Sequence, residues 1–362
     1  MIFVKRDDLK MGMRLAKPIY NKKGVLLYDR DSKLTYQSID SIRNFGLIGI
    51  YVLEPAEPLP PMTDEDREFE KFQAVSEFEL GDELTALLKT GKQTKLRNLA
   101  ESYISSFGRL NHKVNFIQNL RSNEDYVFKH SSNVAILCSM MSHVVGMHHE
   151  EQQETILAAL VHDIGKLNIK PELLKKEELE PDDVIEMRRC EYAGIQIVEN
   201  TFLSVPSIKR TVLQTYKHIE GFYSGKNPDE GKLVLSAKIL IVAEMFDSLT
   251  AMDIRKEPHS FFGALKILMK YPEWFDPDIV KALVKSINIL NEGNCVELSN
   301  GERALVLSTD PDNVLKPLVL VFSSNTIIDL ARSFMYDGLE IVDIVKSLDN
   351  RHSMKNDTPE DE

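Results

Sequence analysis

The run from Ala159 to Lys166 places two adjacent metal-capable side chains, His162 and Asp163, at the end of an apolar helical pattern. Imidazole and carboxylate together suit divalent transition metals, and a metal held there would activate water near neutral pH. Lys166, about one turn further on, could hold a phosphate oxygen. A polar helix end with a glycine stop would explain an isolated pair equally well.

Two further polar side chains stand inside apolar helical patterns. His130 lies in the first turns of a predicted helix, and Glu244 interrupts the apolar run from Leu240 to Phe246. A buried carboxylate without a partner is costly, so Glu244 requires a metal, a cation or a hydrogen-bond network. Its presence favours a metal site over a simple helix end.

The order His130, His162-Asp163, Glu244 resembles the metal-binding signature of the HD superfamily of phosphohydrolases. The runs around His130, around His162 and from Leu298 to Glu302 resemble one branch in particular, the HD-GYP proteins, which are cyclic di-GMP phosphodiesterases of bacteria. The resemblance covers roughly residues 110 to 325. It implies a helical metal-binding domain that acts on a cyclic dinucleotide.

The chain departs from the family pattern at several positions. Where the family has HHExxDGxGYP, the chain runs from His218 to Pro228, so that Ile219 replaces the second histidine and Lys226-Asn227 replaces the Gly-Tyr pair. Cys190 stands where the family has another histidine. The final aspartate of the signature is Glu244.

The resemblance assigns His130, His162, Asp163 and Glu244 to a first metal. The second metal keeps His218, could use Cys190, and has lost a ligand at Ile219. Cys190 has two interpretations, because a thiolate is a good ligand for zinc or iron and a cysteine is also commonly a small buried hydrophobic residue. We expect one divalent transition metal (Fe, Mn or Zn) in the first site. The sequence does not decide whether the second site binds a metal.

By position in the family, Asp163 and Lys166 carry the catalytic roles, with Lys166 contacting phosphate. Lys226 either touches phosphate or is an ordinary loop lysine. The leading hypothesis is a metal-dependent phosphodiesterase that binds cyclic di-GMP and hydrolyses it with reduced activity, because two metals normally clamp both oxygens of the displacement. The alternative is a catalytically inactive receptor or adaptor of cyclic di-GMP signalling, and a mononuclear phosphohydrolase acting on another phosphate ester is a third.

Composition narrows the class of protein. The 362 residues are 43% hydrophobic, enough for a sizeable core, and a net charge of -12 argues against nucleic acid or an anionic membrane surface as a partner. The three cysteines show no disulfide framework, which suits a reducing cytoplasm. Because no apolar run reaches about 18 residues and no signal peptide is evident, we expect a cytoplasmic protein without a membrane span.

The chain divides by pattern into five segments, and the predicted fold class is mainly α, a helical HD-domain bundle with two small β-rich parts. The proline-rich run near residue 58 is the clearest linker. Signalling proteins would bind through the N-terminal module. The segments are a β-rich N-terminal module (1–55), a linker with connecting helices (56–110), the HD-GYP-like metal-binding domain (111–292), a C-terminal β-rich appendage (293–349) and a disordered tail (350–362).

Overall fold

A computed structural model describes residues 2–21, 25–53, 62–226, 231–310, 312–332 and 338–345. The helices are α1 Tyr36–Asn44, α2 Asp64–Thr90, α3 Leu96–Phe107, α4 Tyr126–Val144, α5 His149–Val161, α6 Pro171–Leu174, α7 Pro181–Thr201, α8 Pro206–Tyr223, α9 Leu235–Thr250, α10 Phe261–Lys270 and α11 Pro277–Ser286. The strands are β1 Ile2–Lys5, β2 Arg14–Leu15, β3 Ile19–Tyr20, β4 Leu26–Tyr28, β5 Gly49–Leu53, β6 Cys295–Leu298, β7 Arg303–Ser308, β8 Leu318–Val321, β9 Thr326–Asp329 and β10 Ile341–Ile344.

The helical body is built around α4 and α9. Residues 130–142 of α4 and 239–247 of α9 are all buried, as expected for helices that lie at the centre of a bundle. The two helices pack against each other, α5 packs on α4, and α8 packs on both α5 and α9. An ionisable side chain on α4 or α9 within these stretches is therefore costly to bury unless it has a partner inside the protein.

The N-terminal module contains an antiparallel sheet in the order β1-β5-β2, a hairpin of β3 and β4, and helix α1. Thr35 caps α1 through a reciprocal hydrogen-bond pair with Ser38. The apolar core of the module also takes in Leu120 and Met252 from the helical body. The module is thus packed directly against the body.

The C-terminal part is a five-stranded antiparallel sheet in the order β10-β6-β7-β8-β9. Its buried face joins the main core, with Val296, Val306 and Val319 fully or almost fully buried. Helix α10 anchors the sheet edge, because Lys266 donates a hydrogen bond to the carbonyl of Ile341 (3.0 Å).

The prediction of a mainly α fold with a β-rich part at each end is confirmed. Helices α2 and α3, which the sequence assigns to a connecting segment, pack into the same core as the bundle. The boundaries of the five segments stay predictions. Residues 54–61 of the proposed linker and the tail 350–362 lie outside the described residues, among which no helix is long and apolar enough to cross a membrane.

One close contact between elements positions the site. After α5 ends at Val161, His162 and Asp163 lead into a 3-10 turn, Ile164–Asn168, that packs on α7. The backbones meet at two glycines: a Cβ on Gly194 would lie 2.5 Å from the amide nitrogen of Gly165, and a Cβ on Gly165 would lie 2.3 Å from a carbonyl oxygen of α7. Only glycine permits this approach.

Candidate metal centre

Four side chains from two helices and the turn that follows α5 converge on one point. The ligand atoms of His130, His162, Asp163 and Glu244 all lie within 4.8 Å of one another. The Oε2 atom of Glu244 is 2.5 Å from Nε2 of His130 and 3.0 Å from Nε2 of His162, and the two Nε2 atoms are 3.2 Å apart. The first site predicted from the sequence is thus assembled as a cluster.

The other ring nitrogen of each histidine is held by an acceptor. Nδ1 of His130 lies 2.6 Å from Oδ2 of Asp247, and Nδ1 of His162 lies 2.7 Å from the carbonyl oxygen of Ala159. Such partners place the proton on Nδ1 and leave the Nε2 lone pair free, as in the carboxylate–histidine–metal arrangement.

This tautomer tests whether a metal fits. With protons on both Nδ1 atoms, two imidazole lone pairs and Oε2 of Glu244 point at one another with no donor between them, and the carboxylate of Asp163, which accepts from Lys166, completes the set. Only protons or a cation can stabilise such a set of acceptors. Two imidazoles and two carboxylates are ligands that Fe, Mn and Zn accept, so the donor set fits a divalent transition metal.

Asp247 belongs to a buried polar network beneath the cluster. Arg121, which is fully buried, donates two hydrogen bonds to its carboxylate (2.8 and 2.7 Å), and Gln118 and Asn133 donate one each (2.9 and 3.0 Å). Burial opposes ionisation, but the Arg121 charge and the hydrogen bond with His130 hold the pKa of Asp247 below its usual range. The carboxylate stays an ionised acceptor for His130.

The electrostatics of the cluster show mutual stabilisation of opposite charges. Burial opposes ionisation of Glu244, yet the charge and hydrogen bond of His130 hold the pKa of this carboxyl well below its usual range. Burial lowers the pKa of His130, but Glu244 and Asp247 outweigh that effect and raise it to about 9 without a metal. The cluster is built to hold positive charge at its centre.

Lys166 lies beside the cluster. Its Nζ is 2.6 Å from Oδ2 of Asp163. Burial lowers the pKa of Lys166, but the charges of Asp163 and Glu244 raise it above its ordinary value, so the ammonium is retained. This fixes a permanent positive charge at the edge of the metal cluster.

The cluster opens into a cavity of about 340 Å³. Its lining includes side chains of His162, Asp163, Lys166 and Glu244, whereas His130 lies behind them and is fully buried. The sequence analysis missed several other residues of this wall, because tyrosines and charged residues at helical spacing are common on any helix surface. These residues are Tyr126, Arg188, Glu191, Tyr216, Tyr223, Arg255 and Lys256.

The residues expected at a second metal are not brought together. Ile219 lines the cavity, while its neighbour His218 turns the other way and places Nε2 2.7 Å from the carbonyl oxygen of Trp274. The Sγ atom of Cys190 lies 3.6 Å from the carbonyl oxygen of Asn168 and is not part of the cavity wall. Within the described ranges, the four-residue cluster is the one group that could hold an ion.

Lys226, the other predicted ligand contact, is exposed and lies 3.6 Å from a carboxylate oxygen of Glu220. It is not part of the cavity wall. The rest of the divergent loop, residues 227–230, lies outside the described residues.

Comparisons with known proteins agree with this geometry. A family model described as HD domain matches residues 115–279, which include all four residues of the cluster. The chain is 24% identical over 229 residues to a cyclic di-GMP phosphodiesterase of Pseudomonas aeruginosa, covering 61% of this chain and 55% of that protein. It is 31% identical over 160 residues to the cyclic di-GMP phosphodiesterase response regulator RpfG of Xanthomonas campestris, covering 40% and 41%.

A 3'3'-cGAMP-specific phosphodiesterase of Vibrio cholerae is 23% identical over 214 residues, covering 52% of this chain and 40% of that protein. The chain therefore spans about half the length of the curated relatives it matches. A solved HDG"Y"P protein from Bdellovibrio bacteriovorus covers 78% of this chain and 97% of its own, at 14% identity and a TM-score of 0.46, too low a score to support an argument. The family model shows that residues 115–279 form an HD domain, and the resemblance to HD-GYP proteins predicted from the sequence is confirmed by the family model and these relatives.

Proposed function

We propose that the protein is a metal-dependent phosphodiesterase that binds cyclic di-GMP or a related cyclic dinucleotide and hydrolyses it with a single metal. The observation that carries this proposal is the convergence of two imidazole lone pairs and two carboxylates at the floor of a cavity, with the Lys166 ammonium beside them. The activities of the relatives support the substrate class.

His130, His162, Asp163 and Glu244 would hold the metal, which would supply a Lewis acid and a water of lowered pKa. Lys166 is placed to bind a non-bridging phosphate oxygen, and its charge attracts the phosphodiester into the cavity. Asp163 is shared between the cluster and Lys166, so it aligns the phosphate site with the metal site. Burial of these groups strengthens each of these contacts.

The remaining cavity wall suits the other parts of a cyclic dinucleotide. Tyr126, Tyr216 and Tyr223 present aromatic rings on which nucleobases can stack. Arg188 and Arg255 add positive charge for the second phosphate. These cations act locally and do not depend on the net charge of the chain, which is -12.

The direct test is turnover of cyclic di-GMP by protein purified without chelators and supplied with Mn²⁺ or Fe²⁺. We expect slow cleavage that Asp163→Ala abolishes and that Asp40→Ala, an exposed aspartate on α1, leaves unchanged. If wild-type protein shows no turnover with either metal, the catalytic half of the proposal is wrong.

A second candidate function is that of a receptor that binds the nucleotide without cleaving it. Ile219 favours this candidate, because an apolar side chain lies in the cavity where the family pattern places a histidine. Calorimetry separates the two: binding of cyclic di-GMP in the absence of hydrolysis indicates a receptor. A panel of other phosphate esters would identify a mononuclear phosphohydrolase with a different substrate.

Ile219→His tests whether the missing ligand limits activity. The new imidazole would face the cavity, and we expect metal content to rise from about one towards two per chain with faster hydrolysis. The matched control is Ile185→His on the exposed side of α7. Unchanged metal content in Ile219→His would favour the receptor.

A further inference from the structure

A second cavity lies between the N-terminal module and the helical body, away from the metal cluster. Its volume is about 370 Å³, comparable to that of the metal-site cavity and within the range of small-molecule sites. One wall is the inward face of α2, including Gln73, Glu77 and Phe78, and the opposite wall includes Lys17 and Tyr20 of the module. None of the four cluster residues lines it.

Two carboxylates of α2, Glu70 and Glu77, lie on this wall two helical turns apart. Glu77 accepts a hydrogen bond from Asn119 (2.5 Å), and in the described part of the chain neither carboxylate has an ion-pair partner within 4 Å. Burial raises the pKa of Glu70 and outweighs the opposing charges of Arg30 and Lys17, and it raises the pKa of Glu77 to about 7 against the opposing charge of Lys129 and the hydrogen bond of Asn119. Ionising either carboxyl group in this setting costs desolvation free energy, and a bound cation would offset that cost.

The two lysines of the wall already have acceptors. Lys17 donates a hydrogen bond to the carbonyl of Gln118 (2.5 Å), and Lys129 is paired with Asp125 (3.0 Å). Five carboxylates face these two ammonium groups around the cavity: Glu70, Glu77, Asp82, Glu124 and Asp125. The lining therefore has an excess of negative charge, which disfavours a nucleotide or any other anion.

Much of the remaining wall is apolar. Ile19, Leu47, Phe78, Leu120 and Phe128 surround the two acids of α2. A bare metal ion would leave these surfaces without contacts, whereas an organic cation would cover them.

We propose that this cavity is a binding site for a small organic cation, an amine with an apolar or aromatic body, and that its occupant is linked to the metal centre. The ammonium group would pair with Glu77, with Glu70 two helical turns away adding to the negative field, and the body would lie against the apolar wall.

The link to the metal centre is a short chain of hydrogen bonds. Gln118 is part of the cavity wall and donates to Oδ1 of Asp247 (2.9 Å), whose Oδ2 holds Nδ1 of His130 (2.6 Å). A parallel route runs from Gln73, which donates to Asn133 (2.7 Å), and Asn133 also donates to Asp247 (3.0 Å). A bound amine that stabilises this wall would therefore hold the His130 ring in the orientation that binds metal.

The first experiment measures binding by calorimetry at about pH 8, where Glu77 is ionised. The probes are phenethylamine, phenethyl alcohol and phenylacetate, which share the ring but differ in charge. We expect the amine to bind at least about tenfold more tightly than the alcohol, and the carboxylate not to bind. Equal binding of amine and alcohol, tighter binding of phenylacetate, or no binding of the amine would overturn the proposal.

Variants locate the site. Glu77→Gln should weaken amine binding about tenfold, whereas Glu68→Gln, an exposed residue of the same helix paired with Lys71, should leave it unchanged. Ala74→Leu narrows the cavity without changing charge and should also weaken binding. Amine affinity that is the same in wild type, Glu77→Gln and Ala74→Leu would place the amine elsewhere and refute the site.

The link is tested by titrating Mn²⁺ with and without saturating phenethylamine, with no nucleotide present. We expect the amine to tighten Mn²⁺ binding at least about threefold in wild type and to have no effect in Glu77→Gln. Mn²⁺ affinity that stays constant or weakens would refute the link. Neither measurement depends on catalytic turnover, so the result is independent of the proposed phosphodiesterase activity.

Discussion

Asp247 follows Glu244 by three residues on α9, and the two carboxylates bind opposite ring nitrogens of His130. Asp247 accepts the proton of Nδ1. Glu244 lies on the Nε2 side of the ring, where the metal would bind. The sequence identified Glu244 because a carboxylate interrupts an apolar run. It indicated only a structural polar residue at Asp247, because His130, the partner of Asp247, is 117 residues away in the chain.

The first prediction concerns the metal ligands. We expect the His162→Ala variant to lose its bound metal almost completely. The proposed site has four ligands, and the described part of the chain offers no further ligand in the cluster to replace the imidazole. Metal analysis of the purified protein checks this, with His112→Ala, an exposed histidine, as the matched control. Equal metal content in wild type and His162→Ala would show that the ion binds elsewhere.

The second prediction concerns the buried pair of Arg121 and Asp247, both fully buried. Arg121→Met leaves an uncompensated carboxylate in the interior, so we expect the free energy of unfolding to fall by about 3–5 kcal/mol. Urea denaturation measures it. In the double variant Arg121→Met with Asp247→Leu the loss should be smaller than the sum of the single losses, because the two residues share one interaction. Additive losses would contradict a coupled pair.

At the scale of elements, the contact between the 3-10 turn Ile164–Asn168 and α7 positions His162 and Asp163, which directly precede that turn. The physical role of Gly194 appears only in the structure, where it touches the backbone of Gly165. The same applies to α8: the pattern could not tell which of His218 and Ile219 faces the cavity, because neighbouring residues on a helix point in different directions.

The third prediction is that Gly194→Ala destabilises the protein by about 1–3 kcal/mol and weakens metal binding, since the added methyl would lie 2.5 Å from backbone that cannot yield. Gly81→Ala is the matched control: its methyl would make an ordinary 3.4 Å contact with Phe128, and better helix propensity should add up to about 1 kcal/mol. Thermal unfolding and a metal titration of both variants check the opposite signs.

At the scale of the whole molecule, the N-terminal module reaches the metal centre through the segment 117–122. Ile48 of the module donates a hydrogen bond to the carbonyl of Arg121 (3.0 Å), and Lys17 binds the carbonyl of Gln118. The side chains of the same two residues hold Asp247. Composition and periodicity predicted a separate β-rich module, but contacts between residues about a hundred positions apart leave no periodic trace in a single sequence.

The last prediction uses the cavity between module and body. Burial raises the pKa of Glu77 from 4.5 to about 7, so the folded protein holds this proton more tightly than the unfolded chain. The resulting stabilisation is fully present below about pH 4.5 and is lost as the pH rises through 7. Glu77→Gln cannot ionise, so it should avoid this loss.

We therefore expect Glu77→Gln to match wild type near pH 4.5 and to be more stable at about pH 8 by on the order of 1–2 kcal/mol, after discounting for a side chain that is only partly buried. Urea unfolding at the two pH values measures the difference, with Glu68→Gln as the exposed control. A variant that is less stable than wild type at the higher pH would mean that the ionised carboxylate already has a cation, and that the cavity has no unmet charge to offer an amine.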